Sequence, residues 1–319
     1  MKPSIVVLTD FSPAAKRPRP YAAVLAAPLG AEVHLVHTYP TPPMTSRVGK
    51  VMHTTNKRYV RQQRHSLEQV ATDFPVSATA ETVEAGWDEA MQQVLDKYHP
   101  MLLMVGLTTT HGQFDEWLNN RTLLLARETG YPLLLVPARL PDTAPHAPKC
   151  VALAVDDRPF TLALETKAIA ALFDALATEI VTVTVVPAAG WNGSGQGHLT
   201  TQQSGLAAMM PRSQLHQMVG PEPAPGILQA VQELSADVLA LLDIGHGWVH
   251  KLVIDSVIDQ VLRATLVPVL LLSAPANFLN DYGYPVPARP ERRSRHEQPP
   301  DRAKPVAADR HWLSRVEYG

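Results

Sequence analysis

The chain carries one pattern twice. Ile5-Val6-Val7-Leu8-Thr9-Asp10 is an apolar run closing on an aspartate, and Val151-Ala152-Leu153-Ala154-Val155-Asp156 restates it in the second half. Each copy leads into an Ala/Leu-rich stretch and then a second apolar run behind a glutamate, at Glu32–His37 and Glu179–Thr184. Each half then closes alike, on Tyr131–Val136 and Val267–Leu272. A repeat of this length is one whole domain, too long for a solenoid unit. Functional residues are therefore expected at positions that recur, and at positions one copy has changed.

Short apolar runs rich in Val, Leu and Ile read as strands buried on both faces. In the first half they fall at Ile5–Leu8, Val33–Val36, Ala78–Val83, Met101–Val105 and Leu133–Val136. Helical stretches lie between them, around Ala14–Ala27, Asn56–Phe74, Asp88–Tyr98 and Asn120–Glu128. The second half gives strands at Cys150–Val155, Glu179–Val185, Gln214–Val219, Val238–Leu242 and Val267–Leu272. Its helices are expected at Leu162–Leu176, Pro225–Ser235 and Asp255–Ala264. Strands alternating with helices imply parallel pairing and right-handed crossovers, hence an α/β fold of two tandem open five-stranded parallel sheets. Pro18, Pro20 and Pro28 make the first helix start late or kink. The expected organisation is a first domain over 1–140, a linker over 141–149 with three prolines, a diverged second domain over 150–274, and a poorly ordered Pro/Arg-rich tail over 275–319.

Composition excludes several classes. No stretch approaches eighteen consecutive apolar residues, and Asp10 interrupts the first apolar run, so neither a membrane span nor a signal region is expected. A formal charge of -2 makes no global case for nucleic acid or membrane. In the tail, Arg289, Arg292, Arg293 and Arg295 are interleaved with Glu291, Glu297, Asp301 and Asp309. The single cysteine, Cys150, can make no internal disulfide, which suits a reducing cytoplasm, and it reads as structural.

The segment Ile5–Ser12, with Tyr21-Ala22-Ala23 and the Gly30–His37 run, resembles the start of a universal stress protein domain. The chain as a whole resembles a tandem member of that family. The resemblance implies a ligand crevice at the C-terminal ends of the strands, where open α/β sheets place one. It also implies that the last strands of the two halves pair, making an intrachain pseudo-dimer, with a further homodimer open. One branch of the family binds ATP and another does not. Binders carry a strand-end aspartate and a glycine signature after the fourth strand: Gly, two residues, Gly, nine residues, then Gly-Ser or Gly-Thr. Glycines let backbone N–H groups approach phosphate, and a hydroxyl at the next helix N-terminus adds a donor.

Both halves depart from that signature. Gly106 keeps the first glycine, while Thr109 and Asn119-Asn120 stand at the remaining positions. In the second half Leu242 replaces the first glycine, Gly245 keeps the second, and Asp255-Ser256 closes the pattern. Asp10 and Asp156 both stand at first-strand ends. The nucleotide-binding set implied by the resemblance is thus Thr9, Asp10, Thr38, Val105, Gly106, Thr109, Asn119 and Asn120, with Asp156, Gly245 and Ser256 in the second half. Each lost phosphate donor removes roughly 1.5–3 kcal/mol. ATP or ADP is the ligand to test, and the first half is the better candidate, because Asp255 would repel phosphate.

Other residues have simpler readings. His246 and His250 have a metal-like interval without a third ligand, and His34 and His37 point to opposite faces of one strand. Asp156-Asp157 reads as a strand-end turn, and Trp191–Gly197 as a connector without the P-loop pattern. No nucleophile–base arrangement stands out and no metal is implied. The expected function is a non-catalytic, cytoplasmic, stress-response binding module with degenerate nucleotide loops; the alternative is an ATP/ADP-binding switch in the first domain, with slow hydrolysis at most.

Overall fold

Strand β1 (Ser4–Leu8) is buried along its whole length and pairs in parallel with β2 (Glu32–Tyr39) on one side and β4 (Leu102–Leu107) on the other. Beyond β2 lies β3 (Ala78–Glu84), and beyond β4 lies β5 (Leu133–Pro137). The second half repeats this arrangement with β6 (Cys150–Ala154), β7 (Glu179–Val186), β8 (Leu215–Val219), β9 (Val238–Asp243) and β10 (Val269–Ser273). These facts come from a computed structural model that describes residues 2–39, 47–108, 124–141, 144–156, 159–186, 195–206, 214–243 and 257–274, with the backbone alone at 47–59 and 243. The described residues lie in one compact unit, Met1–Asn277.

The ten strands form one sheet in the order β3-β2-β1-β4-β5-β10-β9-β6-β7-β8. Every pairing is parallel except β5 with β10, where Leu135, Leu134 and Leu133 face Val269, Leu270 and Leu271 antiparallel. Two open parallel sheets thus meet through their last strands, and the pseudo-dimer is built within one chain. An apolar edge strand is an aggregation hazard, and this pairing covers both.

Alternation along each strand feeds two cores. Ile5 and Val7 pack on one face with α1 (Pro18–Ala26), α2 (Arg47–Thr72) and α5 (Ala170–Leu176). Val6 and Leu8 pack on the other with α3 (Trp87–Tyr98), α4 (described over 124–129), α7 (Pro223–Glu233) and α8 (Val257–Ala264). Each core runs through both halves, so the faces are continuous across the β5–β10 junction.

Polar contacts fix that junction. The buried Thr166 hydroxyl donates to the Gly130 carbonyl at 2.7 Å and accepts from the Ser273 amide at 3.2 Å. Arg139 Nε donates to the Thr265 carbonyl at 2.9 Å, satisfying a carbonyl just beyond the C-terminal end of α8.

Several boundaries differ from the sequence expectation. The first helix is split into a 3-10 helix, Ala14–Lys16, and α1, whose first residue is Pro18, where the missing N–H costs nothing. Helix α2 begins nine residues early, at Arg47. The connector expected through Gly197 instead turns at Gly195 (φ 68°) into α6 (Gln196–Gln203), a helix that sequence reading missed. Its composition, Gln-Gly-His-Leu-Thr-Thr-Gln-Gln, has little apolar periodicity to announce it.

Candidate functional site

In each half the strand order reverses beside the first strand, between β1 and β4 and between β6 and β9. The crevice of an open α/β sheet forms at the C-terminal ends there. In the first half those ends are internally satisfied. The Thr9 amide donates to the Val36 carbonyl at 2.8 Å, and His37 Nδ1 donates to the Thr9 carbonyl at 2.7 Å. The Thr9 hydroxyl accepts from the Phe11 amide at 3.3 Å, and Asp10 Oδ1 accepts from the Ser12 amide at 2.9 Å. Phe11 holds a left-handed φ of 64° and packs edge-on against His37, with ring centroids 4.7 Å apart. Burial pulls the His37 pKa down, partly offset by the Thr9 carbonyl and by Asp10.

This turn lays the chain directly on β4. A Cβ at Gly106 would sit 2.1 Å from the Ala14 carbonyl oxygen. Gly106 is therefore required by the approach of the 3-10 helix, whatever else it does. Beside it, Arg19 is half-buried and reaches the Thr9 hydroxyl with Nη2 at 3.5 Å. Its Nε is buried with no hydrogen-bond partner among the described residues, and burial lowers its pKa.

The strand ends of the second half carry a cavity, and the matching positions of the first half carry larger side chains. A cavity of about 270 Å³ lies at the ends of β6, β7 and β9, under the first turns of α7 and α8. Ala154, Val183, Ile227, Leu241 and Ile258 form much of its described wall, and Asp156 is the one charged residue among the described lining. The strand registers explain the difference. Ser4 faces Glu32 as Cys150 faces Glu179, so Leu8 stands where Ala154 does. Counting from the helix starts, Trp87 and Met91 of α3 stand where Pro223 and Ile227 of α7 do. Leu8 and Met91 are 6% and 2% exposed, so larger, buried side chains stand at the equivalent positions in the first half.

Two glycines let helices close over the cavity's surroundings. A Cβ at Gly197 of α6 would meet the Asp156 carbonyl oxygen at 1.9 Å, and one at Gly226 of α7 would meet the Val185 side chain at 2.8 Å. The start of α7 is a poor anion site. Pro223 and Pro225 remove two of its first three amide donors, and Glu222 places a carboxylate at the N-cap.

Of the residues expected from sequence, Thr9, Asp10, Thr38, Val105 and Gly106 come together at the first-half strand ends, and Asp156 lines the second-half cavity. Thr9 and Val105 are buried, Thr38 is half-buried and Asp10 is exposed. Thr109, Asn119, Asn120, Gly245 and Ser256 lie outside the described residues, as do Asp115, Glu116, Trp117, Asp157, His246 and His250. Sequence reading missed the cavity wall. The signal available was Ala154 against Leu8, a small residue in one copy of a repeat that is large in the other. Cys150 is half-buried and burial raises its pKa, in keeping with a structural thiol. Among the described residues no group of three His, Cys, Asp or Glu could hold a metal ion, and no helix is long and apolar enough to cross a membrane.

The fold and its crevices define a doubled, doubly wound α/β protein with ligand-site geometry at the strand ends. Residues 1–137 match the Universal stress protein family. That match covers the first half, and the second half repeats the same order of strands. A universal stress protein structure from Archaeoglobus fulgidus DSM 4304 is 12% identical, covers 86% of this chain and 97% of its own, and superposes with a TM-score of 0.58. Shorter structures match one half. One from Burkholderia pseudomallei is 20% identical over 43% of this chain and 96% of its own, with a TM-score of 0.34. UspA from Lactobacillus plantarum is 11% identical over 42% and 97%, with a TM-score of 0.35. No curated protein matches the chain by sequence.

Proposed function

We propose that this chain is a regulatory binding module without turnover, and that it takes a small ligand at the strand ends of its second half. The cavity between β6, β7, β9, α7 and α8 carries this reading. At about 270 Å³ it falls just below the roughly 300–1,000 Å³ typical of drug-sized sites, so it suits one ring system and not a whole triphosphate. Among its described lining residues only Asp156 could serve as a general base or metal ligand. Adenine nucleotides are the ligand class to test first, by family, with the base in the cavity.

A second reading, an ATP- or ADP-binding switch in the first half, draws on Arg19. A half-buried guanidinium beside Thr9, with no acidic partner among its described contacts, favours an anion at those strand ends. Mass spectrometry of ligand released by heating freshly purified protein, followed by ADP and ATP titration, separates the two. Filling the cavity with Ala154→Leu abolishes binding on the first reading. Arg19→Gln abolishes it on the second. A steady-state phosphate release above the buffer rate would defeat the absence of turnover.

A further inference from the structure

The net charge of the chain conceals a strong asymmetry. Of 28 Lys and Arg and 30 Asp and Glu, nine of the former and one of the latter, Glu32, fall between Phe11 and Leu67. The rest of the chain carries 19 against 29. The basic residues are Lys16, Arg17 and Arg19 at the start of α1, and Arg47, Lys50, Lys57, Arg58, Arg61 and Arg64 along α2. Both helices pack on the same face of the sheet.

The positions on α2 are ordered. At 100° per residue all six fall within about a third of the helix circumference, and Arg47 to Arg64 spans about 26 Å. Arg61 and Arg64 are exposed, while Val60 and Leu67 of the same helix are buried. The stripe is also no part of the duplicated architecture. The crossover at the same place in the second half, between β7 and β8, is made by α6, eight residues long and without Lys, Arg, Asp or Glu. Among the described residues that crossover carries eight helical residues, and the first half's carries 26.

We propose that this face binds the phosphodiester backbone of duplex DNA without sequence preference. A membrane surface fits less well, because an interfacial helix must insert its apolar face. Here Leu67 is fully buried in the sheet-side core, with Val70 and Ala71 packed against it. An acidic protein partner would be expected to find apolar or aromatic anchors, and among the described side chains, α1 and residues 60–72 of α2, none is an exposed large hydrophobic. Single strands are held by exposed aromatic platforms, and the described aromatics on this face, Phe11, Tyr21 and Phe74, are only partly exposed. A basic stripe of about 26 Å along one helix matches a rigid, regularly charged rod.

The test is fluorescence anisotropy of a labelled 24-base-pair duplex with the full chain at 50 and 200 mM salt. Four or more phosphate contacts predict a loss of about a hundredfold or more in affinity between those salts. The double variant Arg61→Glu/Arg64→Glu, checked for folding by thermal melting, is expected to weaken binding at least tenfold. The control Lys167→Glu/Arg263→Glu, placed in the second half, should leave it within twofold. If the first variant melts early, Arg61→Gln/Arg64→Gln takes its place. No binding at 50 mM salt overturns the proposal. So does binding unchanged by the α2 variants, which would move the contact to another basic segment. Tighter association with phosphatidylglycerol vesicles than with duplex would overturn it in favour of a membrane, and tighter association with single-stranded RNA in favour of another nucleic acid.

Discussion

His216 and Glu233 repeat, with the carboxylate moved from strand to helix, a contact that Glu81 and Lys97 make in the first half. His216 Nε2 lies 2.9 Å from Glu233 Oε2, and Lys97 Nζ lies 2.7 Å from Glu81 Oε1. Glu81 faces Val36 as His216 faces Val183, and Lys97 and Glu233 are each the eleventh residue of their helix. Both contacts tie an outer strand of the sheet, β3 or β8, to the helix that follows it. The duplicated fold meets one mechanical need twice with opposite chemistry.

That tie makes the first half acid-sensitive in a defined order. Burial pulls the His34 pKa down; the ring stacks on Tyr98 at 3.9 Å and its Nδ1 lies 2.7 Å from the Thr79 hydroxyl. A histidine depressed in the folded state loses stability as pH falls below its unfolded value of about 6.5. Burial pushes Glu81 up, but hydrogen bonds from Lys97 and Tyr98 outweigh it and leave its pKa lowered. Its contribution is present above the unfolded carboxylate value and is lost as pH falls through the folded one. Urea midpoints should therefore drop first between pH 7 and 5, then again below pH 4.5. His34→Gln should shrink the first drop, and Glu81→Gln the second.

Gly106→Ala should destabilise the protein by about 3 kcal/mol or more, because the new methyl group meets backbone that has no rotamer to yield. Gly197→Ala should do the same through the Asp156 carbonyl. Denaturant midpoints at unchanged slope are the readout. A Gly106→Ala protein of normal stability would mean that the 3-10 helix does not sit on β4.

At the junction, Thr166→Val keeps the shape and removes a buried hydroxyl that donates once and accepts once. A cost of about 2 kcal/mol is expected, since the Gly130 carbonyl and Ser273 amide are left unpaired. Unfolding should remain a single transition followed by any probe, because the two cores cross the junction.

Much of the fold was legible because strands buried on both faces write themselves as unbroken apolar runs, as at Ile5–Leu8 and Val151–Ala154. The pairing of β5 with β10 was implied by the family resemblance; their apolar, uncharged edges said only that each strand needs a partner. Helix α6 was not legible, since its glutamines, threonines and single glycine give no periodicity. The cavity was hidden as well. It arises from what Ala154, Pro223 and Ile227 fail to fill, and a void appears only when the two halves are compared position by position. The charge stripe was hidden by averaging, because acidic residues elsewhere cancel it in the total.

Methyl NMR during titration with ADP tests the placement of the ligand most directly. Saturable shifts are predicted at Val183, Ile227, Leu241 and Ile258, which line the second-half cavity. Leu8, Val36 and Val105 at the first-half strand ends should stay fixed. Shifts confined to those three residues, or no shift at any concentration, would contradict the account.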